Sequence, residues 1–161
     1  TVRIIPILAM SVTIASPSAI AQTALPSKDQ AAAFRAAGYT RSGGQWRKCD
    51  DPGTAGYTPG AIEQVKDLNG DGRPEAIITE ASTFCFGMTG TGFELVSKQA
   101  NGSWKLMASR TGIATFLATK GVDGWPDIEI GGPGFCFTVE RWNGRAYAFH
   151  RRQYEGRPCR R

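Results

Sequence analysis

The chain contains one set of three local features twice, in the same order and about fifty residues apart. The features are an Asp-Gly-x-Pro turn that runs into apolar residues, a Phe-Cys-Phe triplet, and an Asn-Gly turn close to a tryptophan. They occupy residues 71–78, 84–86 and 101–104 in the first copy, and residues 123–130, 135–137 and 142–144 in the second. Chance recurrence of glycine-rich turns is the alternative, but the common order speaks against it. The pattern indicates two copies of one supersecondary unit, over 57–108 and 109–154.

The residues inside each copy favour β-strands. An Asn-Gly pair between strand-like runs is typical of a β-hairpin, and abundant glycine suits a domain of strands and turns. We therefore predict a mainly β domain: an antiparallel sheet or small sandwich built from two blade-like repeats, with a short N-terminal helix. Two blades are too few to close a propeller. Between the copies, residues 113–120 could form two turns of helix, although their β-branched content opposes it.

The first 21 residues have the pattern of a secretory signal peptide. Arg3 is their only charge, an apolar run covers 4–14, and an Ala-x-Ala cleavage motif ends at Ala21. The run is shorter than the ~20 residues that a bilayer span needs, which disfavours a membrane anchor as the alternative. We expect one β-rich domain over 22–161, periplasmic or secreted, with no membrane span once the signal is removed.

Two smaller elements are expected between the signal and the first copy. Ser27 as N-cap and Gln30 three residues later match a capping box, and an alanine-rich run that ends near Gly38 predicts a short helix. Two short strand-like runs flank Gly43-Gly44, which predicts a hairpin over 39–49.

The chain has four cysteines: Cys49, Cys85, Cys136 and Cys159. An even number in an exported protein predicts two disulfides, and the absence of Cys-x-x-Cys spacing argues against a redox or zinc site. Three pairings are possible. The internal repeat favours Cys85–Cys136, which leaves Cys49–Cys159 to join the ends of the domain.

The formal net charge is +5, and much of the excess lies near the end of the sequence, including the basic tail 155–161. Such a tail is suited to an acidic glycan or lipopolysaccharide, or it is simply a solvated terminus that aids solubility; we expect the second. Export makes nucleic acid an unexpected partner.

The most specific chemistry lies in Asp67-Leu-Asn69-Gly-Asp71-Gly-Arg73-Pro-Glu75. Side-chain oxygens fall at its first, third, fifth and ninth positions, and the glycine at the sixth permits a tight turn. Alternate residues of such a turn point inward. Carboxylate and amide oxygens suit a hard cation, calcium before magnesium. The alternative is a turn rich in Asx residues that only caps a hairpin.

The stretch is not an EF-hand, because Ile78 stands where a bidentate glutamate is needed and strand-like residues flank it. It resembles the calcium loops of the FG-GAP/VCBS repeat class. The resemblance implies one structural calcium ion bound by Asp67, Asn69, Asp71, Glu75 and the backbone carbonyl of Arg73.

The second copy of the loop has lost ligands. Aligning Asp123 with Asp71 places Thr119 and Gly121 where Asp67 and Asn69 stand, and only Asp127 matches the final acid. We predict no metal in this copy.

Aromatic residues offer a possible ligand surface, formed by Trp125 and Trp142 with the phenylalanines of the Phe-Cys-Phe triplets. If the triplets are strands, each cysteine faces one way and both rings the other. The alternative is a core with a disulfide on one face, which we favour because four wet phenylalanines promote aggregation.

Little in the sequence indicates an enzyme. His150 is the only histidine, and neither a nucleophile elbow nor a histidine cluster is present. Four glutamates could in principle supply a hydrolytic pair: Glu80, Glu94, Glu129 and Glu140. We expect an exported, calcium-stabilised binding or structural module of the cell envelope or extracellular space, with a protein or envelope polysaccharide as partner. The alternatives are a small carboxylate-dependent hydrolase and an inhibitor of a secreted enzyme.

Overall fold

Two antiparallel sheets form the framework of the protein in a computed structural model, which describes residues 24–160. The predicted signal peptide, 1–21, lies outside the described residues. The first sheet contains β1 Thr40–Ser42, β2 Gln45–Arg47, β3 Thr58–Lys66, β4 Glu75–Ala81, β5 Thr91–Lys98 and β6 Trp104–Thr111, in that order. The second contains β7 Ile113–Lys120, β8 Pro126–Gly131, β9 Phe137–Trp142, β10 Tyr147–Tyr154 and β11 Arg157–Pro158, in the order β11-β10-β9-β8-β7. The helices are α1 Ser27–Ala36 and the single turn α2 Thr83–Phe86.

Each sheet contains a four-stranded meander, β3 to β6 in the first and β7 to β10 in the second. The recurring features lie in equivalent connections of the two meanders. The Asp-Gly-x-Pro turns join the first and second strands, the cysteines follow the second strand, and the Asn-Gly turns join the third and fourth strands. The sequence correspondence therefore coincides with a correspondence in strand order.

The two sheets pack face to face. Side chains that are buried between them form one apolar cluster: Ile77, Phe93, Leu95 and Ala108 from the first sheet, with Trp125, Ile128, Trp142 and Tyr147 from the second. The prediction of a mainly β sandwich with a short N-terminal helix is confirmed.

The other face of the first sheet is covered by α1 and the β1–β2 hairpin. Phe34 of α1 stacks on Trp46 with ring centroids 4.8 Å apart and meets Tyr39 edge-on at 5.5 Å. These side chains pack on Ile78 and Val96 of the sheet. The molecule thus has three layers: helix and hairpin, first sheet, second sheet.

Local turn predictions had mixed outcomes. Gly38 follows α1 with φ +91°, and Gly43-Gly44 links β1 to β2 with positive φ at both residues, as predicted. The capping box is wrong: Pro26 is the N-cap, and Ser27 is already helical. Gln30 instead donates from Nε2 to the carbonyl of Leu25 at 2.6 Å.

The helix suggested for 113–120 is also wrong, because this segment is strand β7. It pairs with β8 in register, for example Phe116 with Ile128. Its β-branched residues suit a pleated strand, and the partner strand satisfies its backbone groups. Within residues 24–160, none of the helices has the length and apolar character required to cross a membrane.

All four cysteines form disulfides, as predicted, but the pairing predicted from the repeat is wrong. The bonds are Cys49–Cys85, with Cα atoms 6.1 Å apart, and Cys136–Cys159, with Cα atoms 5.7 Å apart. Cys85 and Cys136 occupy equivalent positions in two different sheets, and equivalence does not bring residues together. Each bonds instead to a segment close to the edge of its own sheet: Cys49 follows β2, the neighbour of the edge strand β1, and Cys159 follows the edge strand β11.

Candidate metal-binding loop and the buried acids

The loop that joins β3 to β4 folds around the carboxylate of Asp67. Its Oδ1 accepts hydrogen bonds from the backbone N–H groups of Gly70 at 2.7 Å and Asp71 at 3.2 Å, and its Oδ2 accepts one from Gly72 at 2.8 Å. Gly70 and Gly72 have φ values of +80° and +81°, a backbone conformation that is strained for any residue with a Cβ atom. The two glycines therefore let the backbone wrap tightly around one acid.

Asn69 and Asp71 meet at the same turn. The Nδ2 group of Asn69 donates to Oδ2 of Asp71 at 3.0 Å, and the backbone N–H of Asp71 donates to Oδ1 of Asn69 at 3.1 Å. Together with the contact between Asp67 and the Asp71 backbone, this brings three of the predicted ligands into one small loop.

Arg73 enters the loop through its side chain. Its Nη2 lies 2.6 Å from Oδ2 of Asp71, and its Nε donates to the carbonyl of Lys98 at 3.1 Å. The guanidinium thus supplies the positive charge nearest to Asp71. A cation bound to Asp71 has to displace this contact, which lies on the surface, where ion pairs contribute little.

Glu75, the last predicted ligand, is completely buried at the start of β4. Its Oε2 accepts from the backbone N–H of Leu68 at 2.7 Å, and its Oε1 accepts from the hydroxyl of Ser97 at 2.8 Å. Burial raises the pKa of Glu75, the hydrogen bonds oppose this, and the negative charges of Asp71 and Asp67 add to the increase. Both hydrogen-bond partners are neutral groups, so neither compensates the charge.

Asp127, the matching acid of the second meander, is equally buried but differently compensated. Arg141 donates to it from Nε and Nη2, both at 2.8 Å, Arg151 from Nη1 at 3.1 Å, and Thr119 from its hydroxyl at 2.6 Å. Burial alone would raise the pKa of Asp127, but these bonds hold it well below the usual range. One buried acid therefore has two guanidinium partners, and its counterpart has none.

The cross-strand neighbours explain this difference. Glu75 pairs with Ser97 on β5. In the second sheet Ile128 pairs with Glu140, so the preceding residue, Asp127, lies opposite Arg141 on β9. A serine hydroxyl can donate one hydrogen bond, while a guanidinium brings a full charge and several donors. The first meander thus lacks the positive charge that the second contains at the corresponding place.

The loop also touches the second sheet. A Cβ atom built on Gly124 would lie only 2.7 Å from the carbonyl oxygen of Asn69. Gly124 belongs to the short 3₁₀ turn Val122–Gly124, which stands in the second copy where the candidate loop stands in the first. The conformation of the candidate loop therefore affects how the two sheets meet.

The donor set of the loop fits a hard cation, although its side chains are not arranged as a finished ligand cluster. Within residues 24–160, no group of three or more His, Cys, Asp or Glu side chains has a metal-binding arrangement. Asp67, Asn69, Asp71 and Glu75 nevertheless provide oxygen atoms. Oδ2 of Asp67, Oδ1 of Asp71 and both carboxylate oxygens of Glu75 each accept one hydrogen bond and keep a second lone pair. A cation would draw these oxygens inward and replace the Arg73 contact.

The predicted aromatic surface is divided between core and solvent. Trp125 and Trp142 are each 5% exposed, with ring centroids 5.9 Å apart between the sheets, so they are not a ligand surface. They are buried because they lie at the interface of two packed sheets. Phe84 and Phe135 are 63% and 67% exposed, so the core prediction is wrong for them. Phe84 lies in the helical turn α2, and Phe135 lies in a loop, where strand alternation does not apply.

Glu80 and Glu94 form a network that the sequence did not reveal. Glu80 accepts from the backbone N–H groups of Lys48 at 3.2 Å and Cys49 at 2.9 Å, and from the Tyr57 hydroxyl at 2.8 Å. Burial and the carboxylate of Glu80 raise the pKa of Tyr57 to about 12.

Glu94, on the neighbouring strand, accepts from Nζ of Lys48 at 2.7 Å, from the Tyr39 hydroxyl at 2.7 Å and from Ser109 at 3.0 Å. Lys48 therefore contacts both acids, one through its backbone and one through its side chain. This network fastens the segment after β2 to the first sheet.

The other two glutamates do not join this pair. Glu140 is held by the guanidinium of Arg110 between the sheets at 2.8–3.1 Å, and Glu129 accepts from Nε2 of Gln153 at 2.6 Å on the opposite face of the second sheet. Glu129 and Glu140 thus lie in environments separate from each other and from the network of Glu80 and Glu94.

Comparison with protein-family models, with curated proteins and with solved structures finds no match to this chain. The function proposed below therefore rests on the residues and contacts of the chain itself.

Proposed function

We propose that this chain is an exported module with a binding or structural role in the cell envelope or extracellular space, stabilised by one calcium ion in the loop 67–75. The observation that carries the proposal is the uncompensated charge of Glu75, buried beside the acidic turn of Asp67 and Asp71. The corresponding acid of the other meander, Asp127, has two arginines. A divalent ion would supply to the first meander what the arginines supply to the second.

The ligands would be the side-chain oxygens of Asp67, Asn69, Asp71 and Glu75 and the carbonyl of Arg73, as the resemblance to FG-GAP/VCBS loops implies. The role of the ion would be structural. It would neutralise the acids and fix the β3–β4 connection against the turn at Gly124.

An extracellular role accords with the two disulfides, which persist in oxidising compartments. Calcium loops of modest affinity, with Kd on the order of 10⁻⁴ to 10⁻³ M, suit such compartments. The partner we propose is a protein or an envelope polysaccharide.

The direct test is thermal unfolding of chelator-treated protein during a calcium titration. For a Kd of about 10⁻⁴ M, a tenfold excess of calcium over Kd stabilises the folded state by about 1.4 kcal/mol. With an unfolding entropy of about 2.1 cal/mol/K for each of roughly 140 residues, the Tm should rise by about 5 °C. Asp71→Asn should abolish this increase. Asp123→Asn, the same change in the equivalent turn of the second copy, should preserve it.

Glu75→Gln provides a second and sharper measurement. The amide oxygen can still accept from Leu68, and the amide nitrogen can donate to Ser97, so the buried contacts survive without a charge. In chelator the variant should be as stable as the wild type or more so, and in calcium it should be less stable. A wild-type Tm that ignores calcium, or an Asp71→Asn variant that responds as the wild type does, would contradict the calcium site.

A further inference from the structure

Large apolar side chains are exposed mainly at one end of the molecule. Phe84 is 63% exposed, Met88 92% and Phe135 67%. They lie in the β4–β5 and β8–β9 connections, which strand register places at the same end. Ala81, at the end of β4, pairs with Thr91 at the start of β5, and the carbonyl of Thr91 accepts from the backbone N–H of Gly112. Ile113, the residue after Gly112, pairs with Gly131 at the end of β8. We call the segments 82–90, 132–136 and 153–160 together the disulfide tip.

The three segments of the disulfide tip are in contact. Phe135 lies against Tyr154, with ring centroids 6.3 Å apart, and Tyr154 is itself 43% exposed. A Cβ atom on Gly132 would lie 3.6 Å from Oγ1 of Thr89, so the two loops touch across the sandwich. The exposed rings and Met88 are therefore parts of one surface.

Both disulfides hold this surface in place. Cys85 lies beside Phe84 and is bonded to Cys49, and Cys136 lies beside Phe135 and is bonded to Cys159. Ser82, completely buried at the base of the first loop, accepts from the Cys85 backbone at 3.1 Å. Large apolar side chains that are exposed together at one end of a domain mark an interaction surface.

Charge is distributed unevenly over the disulfide tip. The two loops, 82–90 and 132–136, contain no charged residue. The adjoining hairpin, 153–160, contains Arg157 and Arg160, both exposed, against one acid, Glu155. Within the disulfide tip, two uncharged loops with exposed aromatic residues thus stand beside a basic hairpin.

We propose that the disulfide tip docks on an anionic phospholipid surface, with Phe84, Met88 and Phe135 entering the headgroup region and Arg157 and Arg160 meeting lipid phosphates. This attachment goes beyond the calcium-stabilised module proposed above and is separate from its protein or polysaccharide partner. It would hold the domain at the envelope.

The shape and chemistry of the tip favour lipid over a protein. The three side chains are exposed on loops and do not line the cavity between those loops. This cavity, of about 320 Å³, is lined partly by the charged and polar groups of Arg110, Thr138 and Glu140. A bilayer interface accepts projecting aromatic and methionine side chains without a matching cavity, and arginines complement its negative charge.

Flotation of the purified protein with vesicles tests this inference. The protein should bind vesicles of phosphatidylcholine with phosphatidylglycerol and should bind pure phosphatidylcholine more weakly. Phe84→Ser/Phe135→Ser should lower the affinity for the anionic vesicles roughly tenfold or more. Phe149→Ser, which changes a ring that is 61% exposed on β10 outside the tip, should leave it unchanged.

Arg157→Gln/Arg160→Gln should weaken binding to the anionic vesicles and reduce its sensitivity to salt. All variants change exposed residues, and circular dichroism would verify their fold. Absence of vesicle binding, or binding that Phe84→Ser/Phe135→Ser does not weaken, would overturn the proposal. Retention on immobilised envelope proteins that the same double variant abolishes, without any vesicle binding, would also overturn it and point to a protein partner. Vesicle binding in chelator would separate this inference from the calcium site.

Discussion

Asp127→Asn tests how much the buried carboxylate of Asp127 contributes to the stability of the folded protein. The amide keeps the shape of the side chain but leaves the guanidinium groups of Arg141 and Arg151 without their shared counter-charge. Removing one partner of a buried ion pair costs about 3–5 kcal/mol. The arginine side chains are 35% and 28% exposed, so water relieves part of the loss and the lower end, about 3 kcal/mol, applies. For roughly 140 residues, this is a fall in Tm of about 10 °C.

The same variant should change the response to acid. Because hydrogen bonds from Arg141, Thr119 and Arg151 outweigh burial and lower the pKa of Asp127, the folded state binds this proton more weakly than the unfolded state. The stabilisation is therefore present above the ordinary aspartate pKa of about 3.9 and is lost as the pH falls below it. The gap in stability between wild type and Asp127→Asn should be widest near neutral pH and narrow in acid.

Urea unfolding, followed by tryptophan fluorescence from neutral pH into acid, measures the difference in the free energy of unfolding between wild type and Asp127→Asn. Asp51, whose pKa is also lowered, is present in both proteins, so its contribution cancels in the comparison. Glu129→Gln is the matched control, because Glu129 lies on the same sheet but bonds to the neutral Gln153. It should cost less than about 1 kcal/mol. A loss below about 1 kcal/mol for Asp127→Asn, or a gap that stays constant in acid, would refute the reasoning.

Two further predictions concern covalent and steric constraints. In the chain-entropy model, removing Cys49–Cys85, which spans 36 residues, should cost about 3.8 kcal/mol, and removing Cys136–Cys159, which spans 23, about 3.4 kcal/mol. Paired alanine variants in chemical unfolding would measure both losses, and a negligible loss for either would count against the model. Gly121→Ala places a methyl group against the backbone of β9 and should destabilise by about 1–3 kcal/mol in the same assay, whereas Gly56→Ala, with open space around it, should be nearly neutral. Equal stabilities of the two alanine variants would contradict this.

The two outward faces of the stack are closed by different means. The first sheet is covered by α1 and the hairpin, with an apolar cluster beneath them. The second sheet turns Asp127, Arg141 and Arg151 away from the first, because the next residue, Ile128, faces the inter-sheet core. The outer face of the second sheet therefore carries charged side chains in place of the apolar cover of the first.

Local features of this fold could be predicted because they depend on residues close together in sequence. The Gly43-Gly44 turn, the glycine that follows α1 and the Asn-Gly hairpins require only backbone conformations that a few residues set. The oxygen-rich turn at Asp67 likewise follows from its own spacing, and the structure brings Asp67, Asn69 and Asp71 together there. The capping box predicted at Ser27 does not form, because the side chain of Gln30 bonds instead to the backbone carbonyl of Leu25.

The strand-rich character, the doubled pattern and the acidic turn could be read from the residues alone, since all three arise from residue types at short spacing. Tertiary structure alone decided which cysteines pair, because a disulfide depends on which segments border one sheet. It also decided that Trp125 is buried while Phe135 is exposed. Likewise, only the cross-strand neighbours, Ser97 in one sheet and Arg141 in the other, leave Glu75 without a positive partner. Burial and charge compensation depend on contacts between residues far apart in the chain, and sequence spacing does not specify those contacts.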